Sequence, residues 1–146
     1  GWLLRNVNSS LALFKDNGIR SFSKVLIAIR PGRRNKRFID VADKICRHFG
    51  ASLTLLNIVS ETDSNQKIKR TEKSSIELIS ETKSKSIVKI IKSNNPVEAI
   101  SEESASYDLL ILGTPEKDNW ISVLFGAGED RFVKKAACSV LRLTIK

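Results

Sequence analysis

The chain has 146 residues, 41% of them hydrophobic and 28% charged, a balance that is typical of one folded domain. No apolar run approaches the roughly 20 residues that a transmembrane helix needs, so the sequence predicts a soluble domain and excludes a membrane-spanning one. The formal net charge is +9, and most of it belongs to residues 1–50, which carry 11 Lys and Arg against 3 Asp and Glu.

Residues 1–23 are predicted to form an N-terminal arm or linker. Apolar residues recur here at three- and four-residue spacing, which predicts a short amphipathic helix: Leu3, Leu4, Val7, Leu11 and Phe14. The turn-forming run Asp16-Asn17-Gly18 ends that helix. We therefore assign the folded domain to residues 24–146.

From residue 24 onward, predicted strands and helices alternate. Residues 24–29 form a continuous apolar run of strand length, as expected when both faces of a sheet are covered. Pro31-Gly32 interrupts the run, and helical spacing of apolar residues then extends from Phe38 to Phe49. Gly50 is predicted to end this helix. Residues 52–59 form the second predicted strand.

The middle of the chain is more polar. Residues 60–86 are rich in Ser, Lys, Glu and Thr, and we predict a mobile loop that leads into a surface helix with Ile68, Ile76 and Ile79 as its apolar stripe. Residues 87–91 form the third predicted strand. The run Asn95-Pro96-Val97-Glu98 predicts a helix start, with Asn95 as the N-cap and Pro96 as the first helical residue.

The C-terminal part repeats the alternation. Residues 107–113 predict a fourth, nearly all-apolar strand, followed by a polar loop over 114–125. Residues 129–137 predict the last helix, and 139–145 the fifth strand. Strands that alternate with helices imply right-handed crossovers and parallel pairing. The predicted fold is therefore α/β, a three-layer sandwich around a five-stranded parallel doubly wound sheet. Its predicted core contains Leu26, Ile27, Leu55, Ile90, Leu110, Ile111 and Leu141.

A run of basic residues, from Arg30 to Arg37, follows the first predicted strand. Such a patch suits a nucleic acid, an acidic lipid or a phosphate group, and it equally suits a solvated loop and helix face. Trp2, Tyr107 and Trp120 are not interleaved with the run, so the stacking platforms of single-strand binders are not visible. We expect no nucleic-acid partner.

The two cysteines, Cys46 and Cys138, are surrounded by apolar residues. We predict that both are buried structural thiols in a reducing, cytoplasmic environment. His48 is the only histidine, which leaves too few ligands for a metal site of the Cys and His type. We therefore expect no metal.

The carboxyl ends of the predicted parallel strands indicate where a ligand would bind. Arg30 and Pro31 follow the first strand, Val59 ends the second, and Gly113 ends the fourth. A helix that starts near Gly126 and Gly128 would offer free N–H groups to an anion. The alternative is that these glycines only turn the chain.

The spacing of Gly113, Glu116, Gly126 and Ala127 resembles the Gly-x2-Gly-x9-Gly-Ser/Thr motif of ATP-binding universal stress proteins. The tail over 136–141 is similar to the Ala-Pro-Cys-Pro-Val-Leu ending of that family. The resemblance covers about residues 23–146 and implies the adenine-nucleotide alpha-hydrolase-like fold. Leu124-Phe125-Gly126 resembles the variants of this domain that are fused to prokaryotic membrane transporters and channels.

Three positions depart from the ATP-binding pattern of the family. Glu116 replaces a glycine, Ala127 replaces the hydroxyl residue that contacts the terminal phosphates, and Arg30 replaces an Asp that is available to the ribose. A carboxylate within ~4 Å of a phosphate charge is repelled by about 4 kcal/mol at an effective dielectric near 20. Arg30, Arg33 and Arg34 offer compensating bidentate partners for phosphate. We expect no tightly bound cofactor, with ATP or another adenine nucleotide as the alternative.

No catalytic residues are predicted. Glu129 and Asp130 are adjacent at a helix start, so their side chains diverge and instead complement the helix dipole. Ser122 and Ser139 have no histidine that the sequence places nearby. The chain is therefore predicted not to be an enzyme.

The resemblance implies a cytoplasmic regulatory, ligand-sensing domain whose partner is the membrane-embedded transporter portion of the same polypeptide. The alternative is a free-standing universal stress protein that binds a nucleotide and acts in the stress response. Family members commonly dimerise through the last strand, so we expect Ser139–Ile145 to lie at a sheet edge and pair with a second copy. The arm over residues 1–23 could instead cover that edge.

Overall fold

The computed structural model describes residues 10–15, 22–29, 35–115 and 138–145. These ranges contain three helices: α1 (Asn35–Phe49), α2 (Asn65–Ile79) and α3 (Pro96–Ser104). They also contain six strands: β1 (Ser10–Lys15), β2 (Lys24–Ile29), β3 (Ser52–Val59), β4 (Ser86–Lys92), β5 (Leu109–Pro115) and β6 (Ser139–Ile145). The predicted helix over 129–137 lies outside the described residues.

The six strands form one sheet in the order β1-β6-β5-β2-β3-β4. Strands β2 to β6 all run parallel to one another, which confirms the predicted doubly wound sheet. Ile27 of β2 lies in register with Leu55 of β3 on one side and with Ile111 of β5 on the other. Along the chain, β3 and β4 are added on one side of β2, and β5 and β6 are then added on its other side.

The helix predicted within residues 1–23 is wrong over Ser10–Lys15, which form β1. This strand runs antiparallel to β6, with Ser10 opposite Thr144 and Leu13 opposite Leu141. Leu11 and Phe14 fit helical spacing, but Leu11 and Leu13 fit the period of two of a strand. The backbone edge of β6 supplies the hydrogen-bond partners that favour the strand. The predicted edge position of the last strand is also wrong within this chain, because β1 covers it.

Both faces of the sheet are covered by apolar packing, as the continuous hydrophobic runs of β2 and β5 predict. One face packs against α1, and the other packs against residues of α3 and Cys138. Most described members of the predicted core are fully buried: Leu26, Ile27, Leu55, Leu110 and Ile111. Ile90 is only half-buried, because β4 is an edge strand.

The helix ends follow capping rules. The Asn95 side chain accepts a hydrogen bond from the Glu98 backbone N–H at 3.2 Å and Pro96 begins α3, as predicted. The Ser64 hydroxyl caps α2 by accepting from the Lys67 N–H, also at 3.2 Å. Gly50 has a φ of 68° just after α1, a conformation that favours glycine and ends the helix as predicted.

Two carboxylates fix the connections between elements. Asp108 accepts hydrogen bonds from the backbone N–H groups of Ser23 and Lys24 at 2.8 and 2.9 Å, and so holds the start of β2 beside β5. Asp43, on α1, accepts from the N–H groups of Lys83 and Ser84 at 3.2 and 2.9 Å. The connection between α2 and β4 is therefore fixed to α1.

The electrostatic environment of Asp43 favours its charged form. Burial alone would raise the pKa of this carboxyl, but hydrogen bonds from Ser84 and Lys83, together with the charge of Arg47, outweigh burial and lower the pKa. The Arg47 Nε atom lies 3.6 Å from the Asp43 carboxylate. A buried carboxylate that accepts two backbone N–H bonds is stable as an anion.

Both cysteines are buried, as predicted. Burial, followed by the nearby negative charge of Asp43, raises the pKa of the Cys46 thiol to about 12. Cys46 is therefore a protonated core side chain and a poor nucleophile at neutral pH.

Candidate functional site

The strand order reverses between β2 and β5, which lie side by side in the sheet. The backbone of Ile29, the last residue of β2, lies directly in register with Gly113 of β5. In open α/β sheets such a reversal is where ligands bind. The ligand site that the sequence places at these strand ends therefore stays a prediction.

The structure describes two of the residues that the sequence assigns to this site. Gly113 lies at the reversal, and its lack of a side chain allows a ligand to approach the backbone. Val59 ends β3 with only 6% of its surface exposed, and its carbonyl accepts a hydrogen bond from the Ser93 N–H at 2.8 Å. The other predicted site residues lie outside the described residues: Arg30, Pro31, Arg33, Glu116, Gly126, Ala127 and Gly128.

A hydrogen-bond network links the loops that follow β3 and β4. The Asn94 side-chain oxygen accepts from the Ser60 hydroxyl at 2.9 Å and from the Glu61 N–H at 3.2 Å. The Asn94 amide in turn donates to the Glu61 carboxylate at 3.2 Å, and Asp63 accepts from the Ser60 N–H at 3.1 Å. This network was not predicted, although polar residues after two neighbouring parallel strands are its signal in the sequence. It fixes the carboxyl edge of the sheet beside Val59.

A cleft that the sequence does not predict lies between β3 and α2. The cleft has a volume of about 210 Å³ and is lined by Asn57 together with one face of α2: Lys67, Arg70, Thr71, Ser74, Ser75 and Leu78. Asn57 donates from its amide to the Ser75 hydroxyl at 2.6 Å, and both side chains are buried. The feature of the sequence that indicates this cleft is Asn57, a polar residue that follows the inward-facing Leu53 and Leu55 at a spacing of two.

Helix α2 also differs from its predicted orientation. Ile76 was expected in the buried stripe, but 50% of its surface is exposed, and Ser75 is the buried residue of this helix. Leu78 and Ile79 pack against the core from the C-terminal end of α2. Their packing fixes the rotation of the helix, so that Ser75 lies over Asn57 and Ile76 points away from the sheet.

The residues that the structure describes include no group of three or more His, Cys, Asp or Glu side chains arranged to hold a metal ion. Within the same ranges, no helix is long and apolar enough to cross a bilayer.

The fold and family follow from comparisons with known proteins. The chain is similar to a universal stress protein of Archaeoglobus fulgidus in complex with dAMP, at 14% identity and a TM-score of 0.61, with 83% of this chain and 97% of that one covered. It is also similar to a universal stress protein in complex with cAMP, at 17% identity and a TM-score of 0.62, covering 86% and 99%.

A third structure, the universal stress protein UspA of Lactobacillus plantarum, is similar at 16% identity and a TM-score of 0.64, covering 86% of this chain and 99% of that one. A search of curated protein sequences found no significant match. A model of the universal stress protein family matches residues 21–143. The chain therefore belongs to the universal stress protein family.

Proposed function

We propose that this domain is a non-catalytic sensor that binds an adenine nucleotide with a single phosphate in the crevice between β2 and β5. The observation that carries the proposal is the reversal of strand order at Ile29 and Gly113, where a parallel sheet opens its ligand crevice. Two structures with the same fold are complexes with dAMP and cAMP, which supports this class of ligand.

The preference for one phosphate over three follows from the sequence departures. Glu116 brings a negative charge into the glycine motif, and Ala127 lacks the hydroxyl that ATP-binding members offer to the terminal phosphates. A hydrogen bond to a charged group contributes about 1.5–3 kcal/mol, so losing one weakens ATP binding roughly tenfold or more. A monophosphate does not need these contacts.

Calorimetric titration of the chain with AMP, cAMP and magnesium ATP tests the proposal. We expect AMP or cAMP to bind at least about tenfold more tightly than ATP. The double variant Glu116→Gly with Ala127→Ser should improve ATP binding and leave AMP binding unchanged. ATP binding at low micromolar concentration by the unmodified chain, or no binding of either monophosphate, would contradict the proposal.

We further propose that the domain regulates a membrane transporter. The support for this role is the sequence Leu124-Phe125-Gly126 and the basic residues of the N-terminal third, which suit the cytoplasmic face of a membrane. The membrane-embedded partner would then be part of the same polypeptide. Sequencing of the complete reading frame tests it: hydrophobic segments fused to this domain are expected, and a reading frame without them overturns it.

A homodimer through the C-terminal strand is also part of the proposal. Because β1 pairs with the outer edge of β6, a second copy reaches β6 only when β1 moves away. Removal of residues 1–16 should therefore increase the dimer fraction measured by light scattering, since an open edge strand is a template for pairing. A monomer at high micromolar concentration, with and without those residues, would contradict the dimer.

A further inference from the structure

Asn57 is a buried polar side chain at a position where the sheet requires an apolar one. It follows Leu53 and Leu55 on the face of β3 that packs against α1 and α2, and only 7% of its surface is exposed. An amide offers two N–H donors and a carbonyl oxygen. One donor bonds the Ser75 hydroxyl; within the described part of the chain, the carbonyl oxygen has no hydrogen-bond partner.

The cleft beside Asn57 is open and polar. The side chains that line it from α2 occupy one face of the helix, since residues 67, 70, 71, 74, 75 and 78 recur at spacings of three and four. They include the hydroxyls of Thr71, Ser74 and Ser75, and only Leu78 is apolar. The face of α2 that lines the cleft therefore carries hydrogen-bonding groups, whereas Ile76 points away from the sheet.

The charge of the cleft is positive. Lys67 and Arg70 are exposed cations that line it, and no carboxylate is among its lining residues. Lys67 Nζ lies 3.1 Å from an Asp63 oxygen, whereas Arg70 has no ion pair with the described acidic residues. A guanidinium binds a phosphate or carboxylate in bidentate fashion, so Arg70 is the group that selects an anion.

We propose that the cleft between β3 and α2 is a binding site for a small organic phosphate, separate from the nucleotide crevice. Its phosphate group binds Arg70 and Lys67, and its hydroxyl groups bind the Asn57 carbonyl and the hydroxyls of α2. The volume of about 210 Å³ lies below the roughly 300–1,000 Å³ of pockets for larger ligands. A phosphorylated polyol of about three carbons fits this volume.

An NMR titration of the ¹⁵N-labelled chain with glycerol 3-phosphate tests the site. We expect saturable shifts at the Asn57 side-chain amide and at the backbone amides of Ser74 and Ser75. Inorganic phosphate should bind more weakly, because it lacks the hydroxyl groups that reach Asn57. The proposal is overturned if no resonance near the cleft saturates at millimolar concentration, or if inorganic phosphate binds equally well.

Two variants and a control distinguish binding in the cleft from nonspecific binding to positive surface charge. Arg70→Gln should weaken binding of glycerol 3-phosphate about tenfold or more, and Asn57→Leu should abolish the shifts while the spectrum remains that of a folded chain. Lys69→Gln removes an exposed cation of α2 that does not line the cleft, so it should change binding less than about twofold. Equal losses in Arg70→Gln and Lys69→Gln would overturn the proposal.

Competition with AMP distinguishes this site from the crevice between β2 and β5. We expect glycerol 3-phosphate to shift the same resonances when AMP is present, and Asn57→Leu to leave AMP binding unchanged. Displacement of glycerol 3-phosphate by AMP would overturn the proposal of a separate site without contradicting nucleotide binding in the crevice.

Discussion

Helices α1 and α2 are both 15 residues long and both pack against the same side of the sheet, but they bury different kinds of side chain. The residues of α1 that join the hydrophobic core beneath the helix are apolar and buried: Phe38, Ile39, Ala42, Ile45 and Cys46. The buried residue in the middle of α2 is Ser75, and its neighbour Ile76 is half exposed. Complete burial of an isoleucine contributes about 1.5–3 kcal/mol to the free energy of unfolding. Because Ile76 is half exposed, α2 contributes less to stability than α1 does. We infer that α1 stabilises the domain and that α2 forms the wall of a binding site.

The largest expected effect is on α1. Phe38→Ala removes a fully buried ring from the core between α1 and the sheet, and should lower the free energy of unfolding by about 3–5 kcal/mol. Urea denaturation followed by circular dichroism measures this loss. A decrease below about 1 kcal/mol would mean that α1 is not the stabilising helix.

Asp43 provides the next test, because it fixes the α2–β4 connection to α1. Asp43→Asn places an amide against backbone N–H groups and should lower the free energy of unfolding by about 1–3 kcal/mol at neutral pH. The control is Asp40→Asn, which affects only an exposed pair with Lys36 on the same helix and should change stability by less than about 0.5 kcal/mol.

The effect of Asp43 should depend on pH in a defined direction. Its pKa is lower in the folded protein than in the unfolded chain, so its contribution is complete above the unfolded value and is lost as pH falls through the folded value. Stability curves at about pH 7 and about pH 3 should show the difference between the unmodified chain and Asp43→Asn shrinking on acidification. A difference that grows at low pH would contradict the lowered pKa.

Asn57→Leu tests the comparison at the buried pair beneath α2. The substitution leaves the buried Ser75 hydroxyl without its Asn57 partner, so it should lower the free energy of unfolding by about 1–3 kcal/mol, while it removes ligand binding in the cleft. Adding Ser75→Ala should recover most of that loss, because both partners are then apolar. No recovery in the double variant would show that the Asn57 amide is itself a structural requirement.

The smallest effect is expected on the outer face of α2. Ile76 is half exposed, and its replacement by Gln should change the free energy of unfolding by less than about 0.5 kcal/mol. The matched substitution on α1 is Ile45→Gln, which buries an amide in the core and should destabilise by several-fold more. Similar urea midpoints for the two variants would remove the distinction between the helices.

The parts that the sequence predicts correctly are those where local chemistry and tertiary environment agree. The apolar runs of β2 and β5, the Asn95 cap and the stop at Gly50 each depend on a few neighbouring residues. The predictions fail where tertiary contacts determine the local structure. Pairing with β6 makes residues 10–15 a strand, although their spacing also fits a helix. The packing of Leu78 and Ile79 sets the rotation of α2, which no local pattern reveals, and with it the cleft at Asn57.

The most direct test of the account is an NMR titration of the ¹⁵N-labelled chain with AMP. We expect the largest saturable shifts at the backbone amides of Ile29 and Gly113, which lie in register at the reversal of strand order. We also expect the Asn57 side-chain amide, in the separate cleft, to change little. Shifts centred on Asn57 and Ser75, or no saturable shift at Gly113, would contradict the claim that the nucleotide occupies the crevice between β2 and β5.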